Sequence, residues 1–411
     1  MKKVLAILLS LLMLTTAFSG CGGTSPSPVP GSNTTDNSQN TETVTLKVWG
    51  SQEDQAMLAA MVEEFKAANP NKSYDITFGV VSEADAKTKV LEDPAAAADV
   101  FAFANDQIKD LVNAGALYEI TRNKDKIISE NMEGSVEAAT LDGKLYAYPE
   151  TADNGYFMYY DKSVFTADDV KSLDKMLEVA NAKGKKVFMD VSNGWYIASF
   201  FLGAGGTLTI DQDGNQKCDF NNENGVKAGE AIKAFTAHPA FVTGDDAVLK
   251  GGIGGEIAAG VSGTWNAADI KSILGDNYAA TKLPTFTLGS EQVQMGSFAG
   301  YKLVGVSSQT KFPVDAMDLA EWLTNEQNQI TRFKTREIGP SNIKAAASSE
   351  VKANIALAAL AEQNQYATSQ KDVLGTYWSP AEAFGTAMEA KDYSKPIKEM
   401  LDIMVSQIEG K

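Results

Sequence analysis

Thr43-Val-Thr-Leu-Lys-Val-Trp49 alternates apolar and polar residues and predicts a strand with Val44, Leu46 and Val48 on one face. Residues 54–68 follow, with Met57, Leu58, Met61, Val62 and Phe65 spaced along one side of a helix that ends near Asn69-Pro70. Tyr74, Ile76, Phe78 and Val80 predict the next strand, and the short apolar run Asp99 to Ala104 another. Strands alternating with helices imply an α/β fold built on a parallel sheet with right-handed crossovers. Ligands of such sheets sit beyond the carboxyl ends of the strands. Those ends here are Trp49 to Glu53 and Asn105-Asp106.

Outward from this unit, a second αβ region is expected from about Asp161. Helical apolar stretches recur at 167–180, 225–237, 266–274, 314–334, 351–363 and 395–408. Asp211-Gln-Asp-Gly-Asn215 begins like a calcium loop, but the twelfth position is Asn222 where a bidentate Glu is needed. A polar hairpin turn is the better reading.

The chain has 411 residues, enough for two domains. Lys and Arg total 36 against 53 Asp and Glu, a formal net charge of −17, which argues against nucleic acid or anionic lipid as a partner. Two Cys and one His leave almost no room for a Cys/His metal centre, a disulfide scaffold or a His-based triad. No cofactor is implied, and function must rest on carboxylates, amides, hydroxyls and aromatics.

Lys2, Lys3 and the apolar run Val4 to Leu14 form a secretory signal over residues 1–20, too short for a stable membrane span. Phe18-Ser-Gly-Cys21 resembles the bacterial lipobox, with Phe18 where Leu is usual; an ordinary signal with an incidental Cys is the alternative. Residues 21–42 read as a flexible tether. Cleavage removes two lysines and no acids, which takes the charge from −17 to −19. Cys218 is then the remaining thiol, expected to be a small side chain without a chemical role.

Aromatics cluster near turn signals: Trp195-Tyr196 after Ser192-Asn-Gly194, Trp265 after Ser262-Gly-Thr264, and Tyr377-Trp378 after Gly375-Thr376. A pyranose packs its C–H face on such rings while polar groups meet its hydroxyls. Carboxylates accept those hydroxyl bonds strongly, and Glu53, Asp106, Glu150 and Asp153 are the acidic candidates. Burial in a core is the competing reading for each ring, and a solvated loop for each acid.

Leu141-Asp-Gly-Lys-Leu-Tyr-Ala-Tyr-Pro149 followed by Tyr159-Tyr-Asp-Lys162 resembles a segment of the extracellular solute-binding proteins of sugar ABC transporters. Val48-Trp-Gly50, Asp99 to Asp106, Val261 to Trp265, Leu283-Pro-Thr285 and Trp322 to Glu326 resemble further segments of that family, in order. Asn105-Asp106, Gly194 to Tyr196, Gly263 to Trp265 and Tyr377-Trp378 are most similar to its maltose/maltodextrin-binding branch. The resemblance implies a two-lobed periplasmic-binding-protein-like fold (type II) with a hinge and an inter-lobe cleft. One lobe would hold residues 43–153 and 303–350, the other 156–299 and 355–411, with hinges near 153–156, 299–303 and 350–355.

It also implies ligand contacts at Ser51, Gln52, Glu53, Asp106, Trp195, Tyr196, Trp265 and Trp378, with Tyr301 as a further ring at the hinge. After Tyr148-Pro149 the acidic contact is ambiguous: Asp153 and Asn154 compete, with Glu150 nearby. A second aromatic expected just after Trp265 is replaced by Asn266-Ala267. The implied protein is a monomer on the extracellular face of the cell membrane, lipidated at Cys21. It would bind maltooligosaccharide and hand it to ABC permease subunits, making and breaking no bond. The rivals are a binder of another oligosaccharide or a peptide, and a secreted glycoside hydrolase using two of the carboxylates.

Overall fold

The computed structural model describes residues 43–411. The signal, the tether and Cys21 lie outside the described residues. Thr43–Gly50, Ser73–Val80 and Val100–Ala104 run parallel in one sheet. The strands expected there form, but the sheet is mixed. Ser297–Val306 returns to it antiparallel beside Val100–Ala104, and Ala147–Gly155 pairs antiparallel with that returning strand. The expectation of a wholly parallel sheet fails because the chain leaves this unit and re-enters it from the other direction. Ser73–Val80 is the sheet's edge, so Ile76 is buried while Phe78 and Val80 stay exposed.

A second sheet runs Phe241–Val242, Lys186–Phe188, Ile257–Ser262, Phe157–Asp161, Tyr278–Thr281. Phe157–Asp161 is antiparallel to both of its neighbours. Period-two alternation serves both faces of this sheet. Met158 and Tyr160 enter one core with Met189, Ile197, Phe200 and Leu401, while Phe157 and Tyr159 enter another with Phe188, Ile270 and Leu360. The first sheet has its own core of Leu46, Val48, Phe101, Phe103, Leu303 and Leu319, joined by Met61, Val62 and Phe65 of the helix Gln55–Ala68. Two sheets with separate cores, joined by the crossing pair Ala147–Gly155 and Ser297–Val306, give the molecule two lobes.

The helix expected over 314–334 is two helices, Pro313–Thr324 and Glu326–Arg336. Asn325 between them is extended (φ −68°, ψ 166°), and its side chain accepts the Asn328 N–H at 2.8 Å. An N-cap of this kind starts a new helix where apolar spacing alone would run on. Asn325→Ala should lower unfolding stability by about 1 kcal/mol; a denaturant titration checks this. Asn354 likewise splits 351–363, capping Ile355–Gln363 through Leu357 N–H at 3.0 Å.

Leu208–Ile210 and Gln216–Cys218 make the expected hairpin. Asp211 Oδ1 accepts the N–H groups of Asp213 and Asn215, and Gly214 takes φ 85°. Cys218 is buried, and that burial pushes its thiol up to about 12.

Candidate functional site

Two strand ends open the site. After Thr43–Gly50 the chain makes a tight turn, Gln52–Asp54. Ser51 is half-buried, and Gln52 and Glu53 are exposed. Glu53 lies 3.7 Å from Lys250 of the other lobe. After Val100–Ala104 a similar turn, Asn105–Gln107, presents Asp106 half-buried. Asp106 Oδ1 accepts a 2.6 Å bond from Gln370 Nε2. Burial pushes the Asp106 carboxyl up to about 6, against the Gln370 bond and the charge of Lys87, which favour ionisation.

The crossing strands are irregular here. The pairing of Ser297–Val306 with Ala147–Gly155 shifts register on both sides of Lys302. A bulge leaves a backbone group unpaired and re-aims a side chain. Asn105 Oδ1 satisfies the freed Tyr301 N–H at 3.0 Å. Gly300 is required beside it: a Cβ there would come within 2.5 Å of Asn105 Oδ1 and 3.0 Å of Gln370 Oε1. Lys302 is thereby brought to Glu83 at 3.5 Å, with its ammonium 5.5 Å from the Trp265 ring centre. Burial alone would lower its pKa, but the fields of Glu83, Asp153, Asp54 and Glu150 outweigh that and hold it raised.

The second lobe contributes three half-buried indoles. Trp195 stands in the first turn of Gly194–Gly203, whose N-cap Asn193 accepts its N–H at 3.0 Å. Its ring meets Tyr156 edge-on at 4.5 Å and lies 5.9 Å from Trp265, tilted by 39°. Trp265 Nε1 donates to Asp246 at 2.9 Å. Gly263 lies flat under this ring, since a Cβ there would be 1.9 Å from it. Trp378 begins the helix Trp378–Glu389, with its ring against Tyr377 and Phe298 at 5.0 and 6.0 Å. Gly194 lets the two helix starts approach, because a Cβ there would sit 3.2 Å from the Trp378 carbonyl.

The other candidates are placed differently. Tyr196 is buried in the core against Tyr156. Asp153 is buried, and its Oδ2 accepts Thr264 Oγ1 and Gly339 N, both at 2.6 Å. Glu150 is buried beside Arg332 at 2.6 Å. Asn154 reaches the cluster, its Nδ2 lying 3.4 Å from Gln370 Oε1. Tyr301 packs on the first lobe's core with its hydroxyl over Gly134.

Gln370, Lys302, Asp246 and Arg336 were not singled out in the sequence, whereas Asn105 stood there at a strand end beside Asp106. Arg336 links the lobes: Nε lies 3.3 Å from Asp54 and Nη2 donates to the Trp265 carbonyl at 3.1 Å. The one usable signal was Lys302, adjacent to a residue chosen for its ring.

Among the described residues no cluster of His, Cys, Asp and Glu could hold a metal, and no helix is long and apolar enough to cross a membrane. What stands at the junction of the lobes is a set of rings, carboxylates, amides and ammonium groups that can hold a polar solute. That is the makeup of a two-lobed binding protein.

The chain belongs to the family of bacterial extracellular solute-binding proteins, whose model matches residues 60–359. It is 33% identical to a structure solved with acarbose, which it matches with a TM-score of 0.80 over 90% of this chain and 99% of that one. A maltodextrin-binding protein from L. casei BL23, solved without ligand, is 28% identical with a TM-score of 0.73, over 89% and 99% of the two chains. A galactooligosaccharide-binding protein of Bacillus subtilis (strain 168) is 28% identical over 406 residues, covering 93% of this chain and 91% of that one. The family is one of solute-binding proteins, and the L. casei and B. subtilis relatives are named as binding proteins, so this chain is a binding protein and not an enzyme.

Proposed function

We propose that this protein captures a maltooligosaccharide, an α-1,4-glucan, between its lobes and delivers it to the permease subunits of an ABC transporter. The observation that carries the reading is the trio Trp195, Trp265 and Trp378, half-buried and set on turns and helix starts. Trp195 is joined by hydrogen bonds through Gln370 to Asp106 of the other lobe. Rings offer stacking faces to pyranose rings, and Asp106, Asn154 and Glu53 offer acceptors and donors to their hydroxyls. The structure solved with acarbose and the maltodextrin-binding relative support the glucan class.

Lobes of 43–153 with 303–350, and 156–299 with 355–411, would close on the sugar by hinge motion at the crossing strands, the bound ligand favouring the closed state through contacts made only there. The protein would act as a monomer outside the cell, held by a lipid on Cys21. A second reading, a galactooligosaccharide as ligand, is favoured by the B. subtilis relative.

Calorimetry decides between them, with maltose, maltotriose, longer maltodextrins, β-galactooligosaccharides, and xylo- and cello-oligosaccharides. Heat from the α-glucans alone is the expected result. Binding of galactooligosaccharides without any α-glucan would establish the second reading, and silence from every sugar would overturn both.

A further inference from the structure

Gln370 is the most connected side chain at the site, although it carries neither a ring nor a charge. It is 3% exposed. Its Nε2 donates to Asp106 Oδ1 at 2.6 Å, and its Oε1 accepts Trp195 Nε1 at 3.0 Å, with Asn154 Nδ2 at 3.4 Å. Two donors on the oxygen and an acceptor on the nitrogen fix which way the amide points. The short turn Gln370–Asp372 that carries it follows the strand Ala367–Ser369, which pairs with Ser297–Ala299 of the crossing strand. Gly300 leaves the space that the amide fills. One side chain therefore meets a carboxylate of the first lobe, an amide of the crossing strand and an indole of the second lobe.

The geometry points to Gln370 as a positioning residue that holds the Asp106 carboxylate and the Trp195 ring in register for the saccharide, an inference that rests on the saccharide reading of the site. Asp106 alone could rotate toward Lys87 or water. With Gln370 donating to one oxygen, the carboxylate is held against that rotation. Trp195 alone could turn about its side-chain bonds, but the bond from Nε1 fixes the plane of the ring. The short Gln370 contact is charge-assisted when Asp106 is ionised, so the relay also tells Trp195 whether Asp106 carries a proton. The charged neighbours of Asp106 are Lys87 and Asp110, which pair with each other at 2.8 Å. Lys371 on the Gln370 turn is turned away and donates to the Glu137 carbonyl at 3.0 Å.

The test is nuclear magnetic resonance of the five tryptophan indole N–H groups in the purified protein without sugar, with the Trp195 signal assigned by its loss in Trp195→Phe. That signal is expected to titrate with Asp106, with a midpoint near the value of about 6 to which burial raises its carboxyl. Gln370→Leu should flatten the titration and weaken binding of the best saccharide by about tenfold, the order expected for one net hydrogen bond to a charged group. Asp106→Asn leaves Gln370 in place and should flatten the same titration, which keeps the test decisive should Gln370→Leu fail to fold. A Trp195 signal that does not titrate in the wild type, or that titrates unchanged in either variant, overturns the inference. An intact relay in a protein that binds none of the saccharides overturns the saccharide reading instead, so the two failures are told apart.

Discussion

Arg332→Leu is expected to destabilise the protein by about 3–5 kcal/mol, the range for removing one partner of a buried ion pair. Arg332 is 2% exposed, with Asp54 and Glu150 each 2.6 Å from its guanidinium. Leucine leaves two buried carboxylates behind. Asp54 keeps Arg336 at 3.3 Å, but Glu150 loses the nearest positive charge and keeps only the more distant Lys302. The Glu150 carboxyl already stands at about 7, raised chiefly by burial while Arg332 opposes the rise. Without Arg332 it should rise further and take a proton.

The sign of the pH dependence follows. A carboxyl raised from an unfolded value of 4.5 binds more protons in the folded state, so its contribution is fully present below pH 4.5 and is lost as pH rises through the folded value near 7. In Arg332→Leu that loss extends to higher pH. Denaturant unfolding of variant and wild type at pH 5, 7 and 8.5 should show a stability gap that widens with pH. Adding Glu150→Gln should recover part of the loss at pH 8.5, since the stranded charge is gone. A gap below about 1 kcal/mol, typical of exposed pairs, or one independent of pH, would show that the network is not held as a buried ion cluster.

How far the sequence reached depended on what each element shows of itself. The helix Gln55–Ala68 was readable because its five buried residues are its five apolar-face residues. The strand ends were readable because the apolar alternation stops at Trp49 and the apolar run stops at Ala104, which located Glu53 and Asp106. The breaks at Asn325 and Asn354 were not, because apolar spacing continues through them and a single capping amide decides.

Strand direction in the mixed sheet depends on where the chain re-enters, which local pattern does not encode. Among the candidate site residues, position along the chain was legible but side-chain direction was not. Tyr196 neighbours Trp195 on a helix, and a step of about 100° turns it into the core. Gln370 and Lys302 belong to residue types common on any surface. Only the register shift in the crossing strands and the side-chain-free space at Gly300 give them partners across the site.

Trp265→Ala and Trp378→Ala should each weaken saccharide binding by about 2 kcal/mol, on the order of thirtyfold in Kd, the size typical of a buried aromatic anchor. Both rings are half-buried, so each keeps surface for a ligand to cover. Trp265 is held rigid by Asp246 at its Nε1 and by Gly263 beneath it, which lowers the entropy cost of presenting its face. Trp378 is braced by Phe298 and Tyr377. Neither substitution should unfold the protein. The helix that starts at Trp378 is anchored by buried Ala381, Phe384 and Met388, and the turn holding Trp265 by buried Thr264, Asn266 and Ala267.

Trp265→Phe keeps an aromatic face but loses the bond to Asp246, and should retain much of the affinity. Calorimetry with the best-bound sugar, beside melting curves, reads all three variants. Unchanged affinity in both alanine variants would show that the two indoles serve packing alone. A large fall in melting temperature with unchanged affinity in the folded fraction would say the same. Loss of binding at an unchanged melting temperature requires that the rings meet the sugar directly, because their other neighbours remain in place.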